Sequence, residues 1–159
     1  MPPPDLPGGR PPPPGLTVHL NGLDGWPRLV EARDSMLAAA RSTLGTDPRR
    51  VDGELSITLV SDAEMARLNG EWLDRAGSTD VIAFSLGSDH SVLGDVYIAP
   101  DTAGRNVSEL GVDLIEEILR LVIHGTLHVV GHDHPDGPDR DSSEMYQLQE
   151  ELLRSLEGR

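Results

Sequence analysis

Four of the six histidines in this chain fall within eleven residues: His124, His128, His132 and His134. His124 and His128 are four apart. On a helix that spacing stacks both rings on one face, close enough to share a metal ion. Gly131 can end the helix and turn the chain, because glycine takes the left-handed conformation that closes helices. His134 would then return to the same ion as a third ligand. Three neutral imidazoles and one open position describe a catalytic zinc site, one Zn2+ per chain, rather than a closed structural one. Nickel or copper would fit the same nitrogens. Burying three imidazoles on an apolar helix without a partner would be costly, which favours the metal. His132 lies between ligand positions and reads as a turn or supporting residue. Asp133 either orients a ligand through its second ring nitrogen or is solvated. His19 and His90 stand apart and read as ordinary strand or turn residues.

The spacing equals that of the metzincin peptidases, H-E-x-x-H-x-x-G-x-x-H, with one difference. Where those enzymes keep their glutamate general base, this chain has Gly125. A peptidase needs that carboxylate to take the proton of water. The pattern is that of a zinc hydrolase without its peptidase base, and beyond the metal site it names no catalytic residue.

The elements that must position these residues can be read from periodicity. The 159 residues suit one domain, long enough to hide about two-thirds of its unfolded surface. Residues 1–15 carry eight of the 13 prolines and read as a disordered tail. Residues 16–159 then form a single zinc-binding domain. Strands are expected at Leu16–Leu20, Leu55–Val60, Asp80–Leu86 and Val92–Ile98, the last two as a hairpin. A helix is expected from Pro27 to Leu44, a second capped by Ser61-Asp-Ala-Glu64, and a long one from near Asp113 to Gly131. A last helix, from about Ser142 to Leu156, places Met145, Leu148, Leu152 and Leu156 on one face. The fold class is therefore α+β: a small mixed sheet of about four strands packed with helices around a zincin-like, metal-binding central helix. The most apolar region, Leu114 to Val130, is broken by Glu116, Glu117, Arg120, His124 and His128. A membrane span needs about 20 mostly apolar residues, so no membrane role is expected. No signal peptide is evident, and a cytoplasmic protein is the default. Zero cysteines exclude disulfides, thiolate ligands and a cysteine nucleophile.

At the histidines the chain resembles the YbeY family, bacterial rRNA maturation factors described as zinc-dependent endoribonucleases. The family pattern H-G-x-L-H-L-x-G-Y-D-H stands here as His124-Gly125-Thr126-Leu127-His128-Val129-Val130-Gly131-His132-Asp133-His134. Leu68-Asn69, then Thr79-Asp80-Val81-Ile82-Ala83-Phe84-Ser85, is similar to its L-N … T-D-V-L-S-F segment. Leu93-Gly94-Asp95-Val96-Tyr97-Ile98 is similar to its L-G-D-I-x-I strand, and Glu117 and Glu144-Met145 also fit. The likeness covers roughly residues 16–156. It departs at Trp72–Ser78, where the family's arginine falls on Leu73. Arg75, two residues on, is the candidate substrate contact if the loop takes another path.

The resemblance implies a zinc-dependent endoribonuclease that cleaves single-stranded RNA in rRNA maturation and ribosome quality control. No small-molecule cofactor is implied. The nucleophile is open between water and the RNA 2′-hydroxyl. The charge opposes this reading: 13 arginines and no lysine face 27 acidic residues, a formal net charge of −14. Such a chain repels RNA unless arginines line the cleft, and Arg67, Arg75 and Arg105 are the candidates. Five aromatic residues offer little for base stacking. Weak intrinsic RNA binding is expected, with help from a ribosomal subunit or a ribosome-associated protein. Two alternatives remain: a metal-dependent hydrolase of another substrate, and a non-catalytic ribosome-assembly factor whose zinc stabilises the fold.

Overall fold

A computed structural model describes residues 15–88 and 90–157. Residues 1–14 of the expected tail lie outside the described residues. Four strands, β1 (Leu16–Asn21), β2 (Asp52–Leu59), β3 (Val81–Ser85) and β4 (Ser91–Ile98), form one sheet in the order β1-β2-β4-β3. β1, β2 and β4 are mutually parallel, and β3 runs antiparallel to β4 as the expected hairpin. The helices are α1 (Arg33–Leu44), α2 (Asp62–Leu73), α3 (Pro100–Ser108), α4 (Leu114–Val129) and α5 (Glu144–Glu157). The sheet is mixed and the class is α+β, as read from the sequence.

The alternation in β2 decides which face is inside. Leu55, Ile57 and Leu59 point one way and are buried with Val92, Val96 and Ile98 of β4. Helices α1, α4 and α5 share this core through Met36, Ala40, Leu44, Ile118, Val122, Leu127, Met145 and Leu153. α2 joins a smaller cluster, Met65 and Leu68 against Ile82 and Ala99. Because α4 is enclosed by sheet and helices, it is apolar nearly all round. Losing a side chain such as Leu127, which is fully buried, would cost roughly 2–5 kcal/mol.

Three expectations need adjusting. The stretch from Pro27 begins as 3-10 helix (Pro27–Ala32) and becomes α-helical only at Arg33. The last helix starts at Glu144, not Ser142. Helix α3 was not expected at all: it is only nine residues long, includes Gly104 and buries just Pro100, Ala103 and Val107 among apolar side chains. Its signal was Pro100 at the first helical position. The Ser61 cap is present, with Oγ accepting from Glu64 N–H at 3.2 Å, but the Glu64 carboxylate pairs with Arg67.

Candidate metal centre

The end of α4 places the histidines. Its last four carbonyls would be orphans in an isolated helix, and each here has a donor. The amide of Gly131, at φ 99°, binds His128 O at 3.0 Å, and His132 N–H binds Leu127 O at 2.9 Å. These two bonds form a Schellman turn, and the left-handed residue it needs is glycine. Ser85 Oγ of β3 donates to Val129 O at 2.9 Å. Arg50 Nη2, on a nearly buried side chain, donates to Val130 O at 3.1 Å. Arg50 also reaches Ser88 O at 2.7 Å and Asp47 Oδ2 at 3.1 Å, so it ties the helix end to the β3–β4 turn and to the loop before β2. The cation also suits the negative end of the helix dipole.

Beyond that turn the chain comes back, and His134 meets His124 and His128. Ring centroids are 4.7 Å apart for His124–His128, and 5.1 Å for each with His134. One nitrogen from each ring lies within 4.8 Å of the other two. The Nε2 atoms of His124 and His128 are 3.1 Å apart. A tetrahedral ion with metal–nitrogen bonds near 2.0–2.1 Å sets its ligand nitrogens roughly 3.3 Å apart, so the pair has the right spacing. These three residues could hold a metal ion.

The other ring nitrogens fix the tautomers. His124 Nδ1 meets Gln149 Oε1 at 2.6 Å, His128 Nδ1 meets His132 O at 3.0 Å, and His134 Nδ1 meets Pro135 O at 3.1 Å. A carbonyl oxygen only accepts, so Nδ1 of His128 and of His134 carries the proton and donates. For His124 the same follows once the Gln149 amide is oriented. Its Nε2 lies 3.4 Å from the Glu150 carboxylate, an acceptor, which turns Oε1 to the imidazole. Each ring therefore keeps its Nε2 lone pair for an ion. Burial lowers the His124 pKa to about 4; the Gln149 bond opposes this, and His128, His134 and Arg140 add to it. Burial also lowers His128, opposed by the hydrogen bond it donates to His132 O. His124 is thus neutral and ligand-ready at pH 7.

Gln149 was not foreseen. It sits at i+4 from Met145 and i−4 from Leu153, three residues that α5 buries together. A polar residue on that stripe was the readable signal. Behind it, Glu150 receives Arg120 Nε at 3.0 Å, and Arg120 also pairs with Glu117 at 2.7 Å. His132 supports the site through its main-chain carbonyl. Asp133 takes the His134 amide at 2.9 Å and makes no bond to a ring nitrogen. His19 lies near Glu54 at 3.7 Å, and His90 lends its carbonyl to Val51.

Gly125 has a structural role. A Cβ there would lie 2.5 Å from Val96 Cγ1 and 3.4 Å from Val81 Cγ2. The position faces the sheet, one residue round the helix from the ligand face, and a glutamate has no room there. The three candidate arginines do not join the triad. Arg67 pairs with Glu64 and Glu71, and Arg105 pairs with Asp62 at 2.8 Å. Arg75 is exposed, and its amide binds Asn69 O at 3.1 Å, in a loop further held by Asn69 Nδ2 to Gly77 O at 3.0 Å.

Residues 27–157 match the family model described as Endoribonuclease YbeY. The chain belongs to the YbeY family. An Endoribonuclease YbeY from Mycolicibacterium vanbaalenii is 33% identical over 150 residues, 87% of this chain and 79% of that protein. One from Nocardioides sp. is 36% identical over 133 residues, 76% of this chain and 88% of that protein. The solution structure of TM1509 from Thermotoga maritima shares the fold, with a TM-score of 0.61 and 27% identity over 89% of each chain. Among the described residues, no helix is long and apolar enough to cross a membrane. Leu73, at the end of α2, is exposed.

Proposed function

We propose that this YbeY chain is a zinc-dependent endoribonuclease that cleaves single-stranded RNA in rRNA maturation and ribosome quality control. The observation that carries the reading is the convergence of His124, His128 and His134, each with Nδ1 tied to an oxygen and Nε2 left open. Those three nitrogens would hold the zinc. Zinc in such a site supplies a charge that polarises a phosphoryl oxygen and lowers the pKa of water toward neutrality. The protein's part is to keep three imidazoles neutral and oriented. Gln149 does this for His124 and the His132 carbonyl for His128.

With Gly125 turned into the sheet, the acid and base of the reaction come from the RNA or from another part of the fold. Attack by the RNA 2′-hydroxyl leaves a 2′,3′-cyclic phosphate, and attack by water does not. The net charge of −14 and the paired state of Arg67 and Arg105 favour weak intrinsic RNA binding. Arg75 is the contact from the α2–β3 loop, and a ribosomal subunit or ribosome-associated protein supplies the remaining affinity. This reading places the protein in the cytoplasm, with residues 1–15 as a tail on one domain.

The test is to incubate untagged, zinc-loaded protein with single-stranded RNA beside a His128→Ala variant purified identically. Cleavage by the wild type alone is expected. Equal cleavage by both would assign the activity to a contaminant. No cleavage by either, with zinc bound and the fold intact, would favour the assembly factor or an enzyme that acts only together with the ribosome.

A further inference from the structure

We infer that Arg120 is a positioning residue for the metal centre: by holding the Glu150 carboxylate against the Gln149 amide, it sets which nitrogen His124 offers to an ion; this rests on the zinc reading of the triad. A chain of polar contacts joins Arg120 to the ring. Arg120 Nε donates to Glu150 Oε2 at 3.0 Å. Gln149 Nε2 donates to the same oxygen at 3.4 Å, and Gln149 Oε1 lies 2.6 Å from His124 Nδ1. Arg120 precedes His124 by one turn of α4, so the two share the side of the helix that meets Gln149 and Glu150 of α5.

The logic lies in the two orientations of a buried amide. Gln149 is buried, so its oxygen and its NH2 group need partners within the protein. As placed, Oε1 faces the ring and Nε2 faces a carboxylate. Flipped, Oε1 would face Glu150, acceptor against acceptor. The NH2 group would then face Nδ1, which could take that bond only by giving up its proton to Nε2. That tautomer has no lone pair left on the nitrogen that meets His128 Nε2 at 3.1 Å. The Glu150 carboxylate therefore selects the ligand-ready ring.

Arg120 is what keeps that carboxylate in place. It also pairs with Glu117 at 2.7 Å and Glu116 at 3.5 Å, both on its own helix, so three carboxylates share one guanidinium. Without the cation, Glu150 would face two like charges across the α4–α5 contact and turn toward solvent. An ion pair that only tied the helices together would leave the ring proton alone. Here the oxygen that Arg120 grips is the one that Gln149 meets.

The experiment reads the ring proton directly, by nitrogen NMR of the histidine side chains in the zinc-free full chain, at a pH where imidazole is neutral. Wild-type His124 should carry its proton on Nδ1. Arg120→Gln and Glu150→Ala should each move a measurable share of it to Nε2, and Arg120→Lys, which keeps the charge, should restore most of the wild-type signal. Glu117→Gln removes a partner of Arg120 that does not meet Gln149, so it should change the melting temperature and not the tautomer. Zinc affinity by chelator competition should fall several-fold in Arg120→Gln and Glu150→Ala, less than the roughly tenfold for a residue that touches a ligand. An unchanged tautomer in both variants would leave only an ion pair between helices and overturn the inference. An equal shift in Glu117→Gln would assign the effect to lost packing and overturn it too. If Arg120→Gln does not fold, Glu150→Ala against Arg120→Lys decides by the same signal. A wild type with the expected tautomer that binds no zinc would overturn the zinc reading, and this inference with it.

Discussion

The two histidines on α4 and the third beyond it are held by different means. His124 is buried, and its ring is fixed by a side chain from another helix. His128 sits one turn on, with its ring fixed by a carbonyl that the Schellman turn brings back. Both ride on a helix whose terminal carbonyls are bound by the turn, by Ser85 of β3 and by the nearly buried Arg50. His134 is half-exposed, and its hydrogen bonds among the described residues are to its immediate neighbours, Asp133 and Pro135. The helical half gives fixed geometry before any ion binds, while the turn half is ordered by local contacts. A preorganised pair with a softer third ligand keeps part of the ordering cost out of the binding step for two ligands and leaves it in for the third.

The strongest test of this contrast is ligand removal. His124→Ala and His128→Ala should each weaken zinc binding by about a thousandfold or more, on the order of 4 kcal/mol out of a total for zinc sites of about 10–16. His134→Ala should lose less, about a hundredfold, because the remaining pair is already in place. Chelator competition on the three variants measures this. A loss at His134 as large as at His128 would remove the distinction between the halves.

Acid should loosen the helical half by a separate route. Asp47, which helps hold Arg50, has its carboxyl lowered to about 2, mainly by its hydrogen bond to Arg49, with Arg50 adding. A folded pKa below the unfolded value means the contribution is present above about pH 4 and is lost as pH falls through about 2. The shift corresponds to about 2 kcal/mol, less what solvent screens around the exposed Arg49. Denaturant midpoints of the metal-free protein between pH 5 and 2 should fall more steeply in the wild type than in Asp47→Asn. Parallel curves would show that Asp47 does not anchor this end.

How far the site could be read in advance divides along the same line. The His124–His128 pair, Gly131 and the return of His134 follow from helix period and glycine's left-handed backbone, both local properties. The residues that anchor them do not. Arg50, Ser85 and Gln149 reach the site from a loop, a strand and a different helix, and only Gln149 left a local mark, as a polar residue on an apolar stripe. Gly125 was legible as a missing base, but the reason lies across the sheet in Val96. The partners of Arg67, Glu64 and Glu71, lie three and four residues away on the same helix and were legible locally, whereas Asp62, which pairs with Arg105, comes from a distant part of the sequence.

Gly125 offers an effect of similar size. Gly125→Ala should cost about 2 kcal/mol, typical of overpacking, because its Cβ meets Val96 at 2.5 Å. Val96→Ala alone should also destabilise by opening a cavity. The double variant should be more stable than the two losses summed, and a thermal double-mutant cycle measures that coupling. Strict additivity would mean that α4 moves off the sheet rather than pressing on Val96.

The smallest effect expected is at Gln149, and it bears most directly on how the helical half works. Gln149→Leu keeps nearly the same volume but removes the acceptor for His124 Nδ1–H, at a position only 2% exposed. Two consequences follow from that one lost bond. The ring loses what fixes its tautomer, so some molecules will carry the proton on Nε2 and cannot bind metal. The ring also becomes a poorer donor to the ion, since the hydrogen bond on Nδ1–H raises ligand basicity. Together these should weaken zinc binding by about tenfold, the lower end for such supporting residues. Gln149→Glu should do the opposite, because a carboxylate accepts the same proton more strongly. The ordering Glu, then Gln, then Leu in zinc affinity by chelator competition is the expected outcome. If Leu binds zinc as tightly as Gln, the helix alone orients His124, and the preorganisation of this half owes nothing to α5.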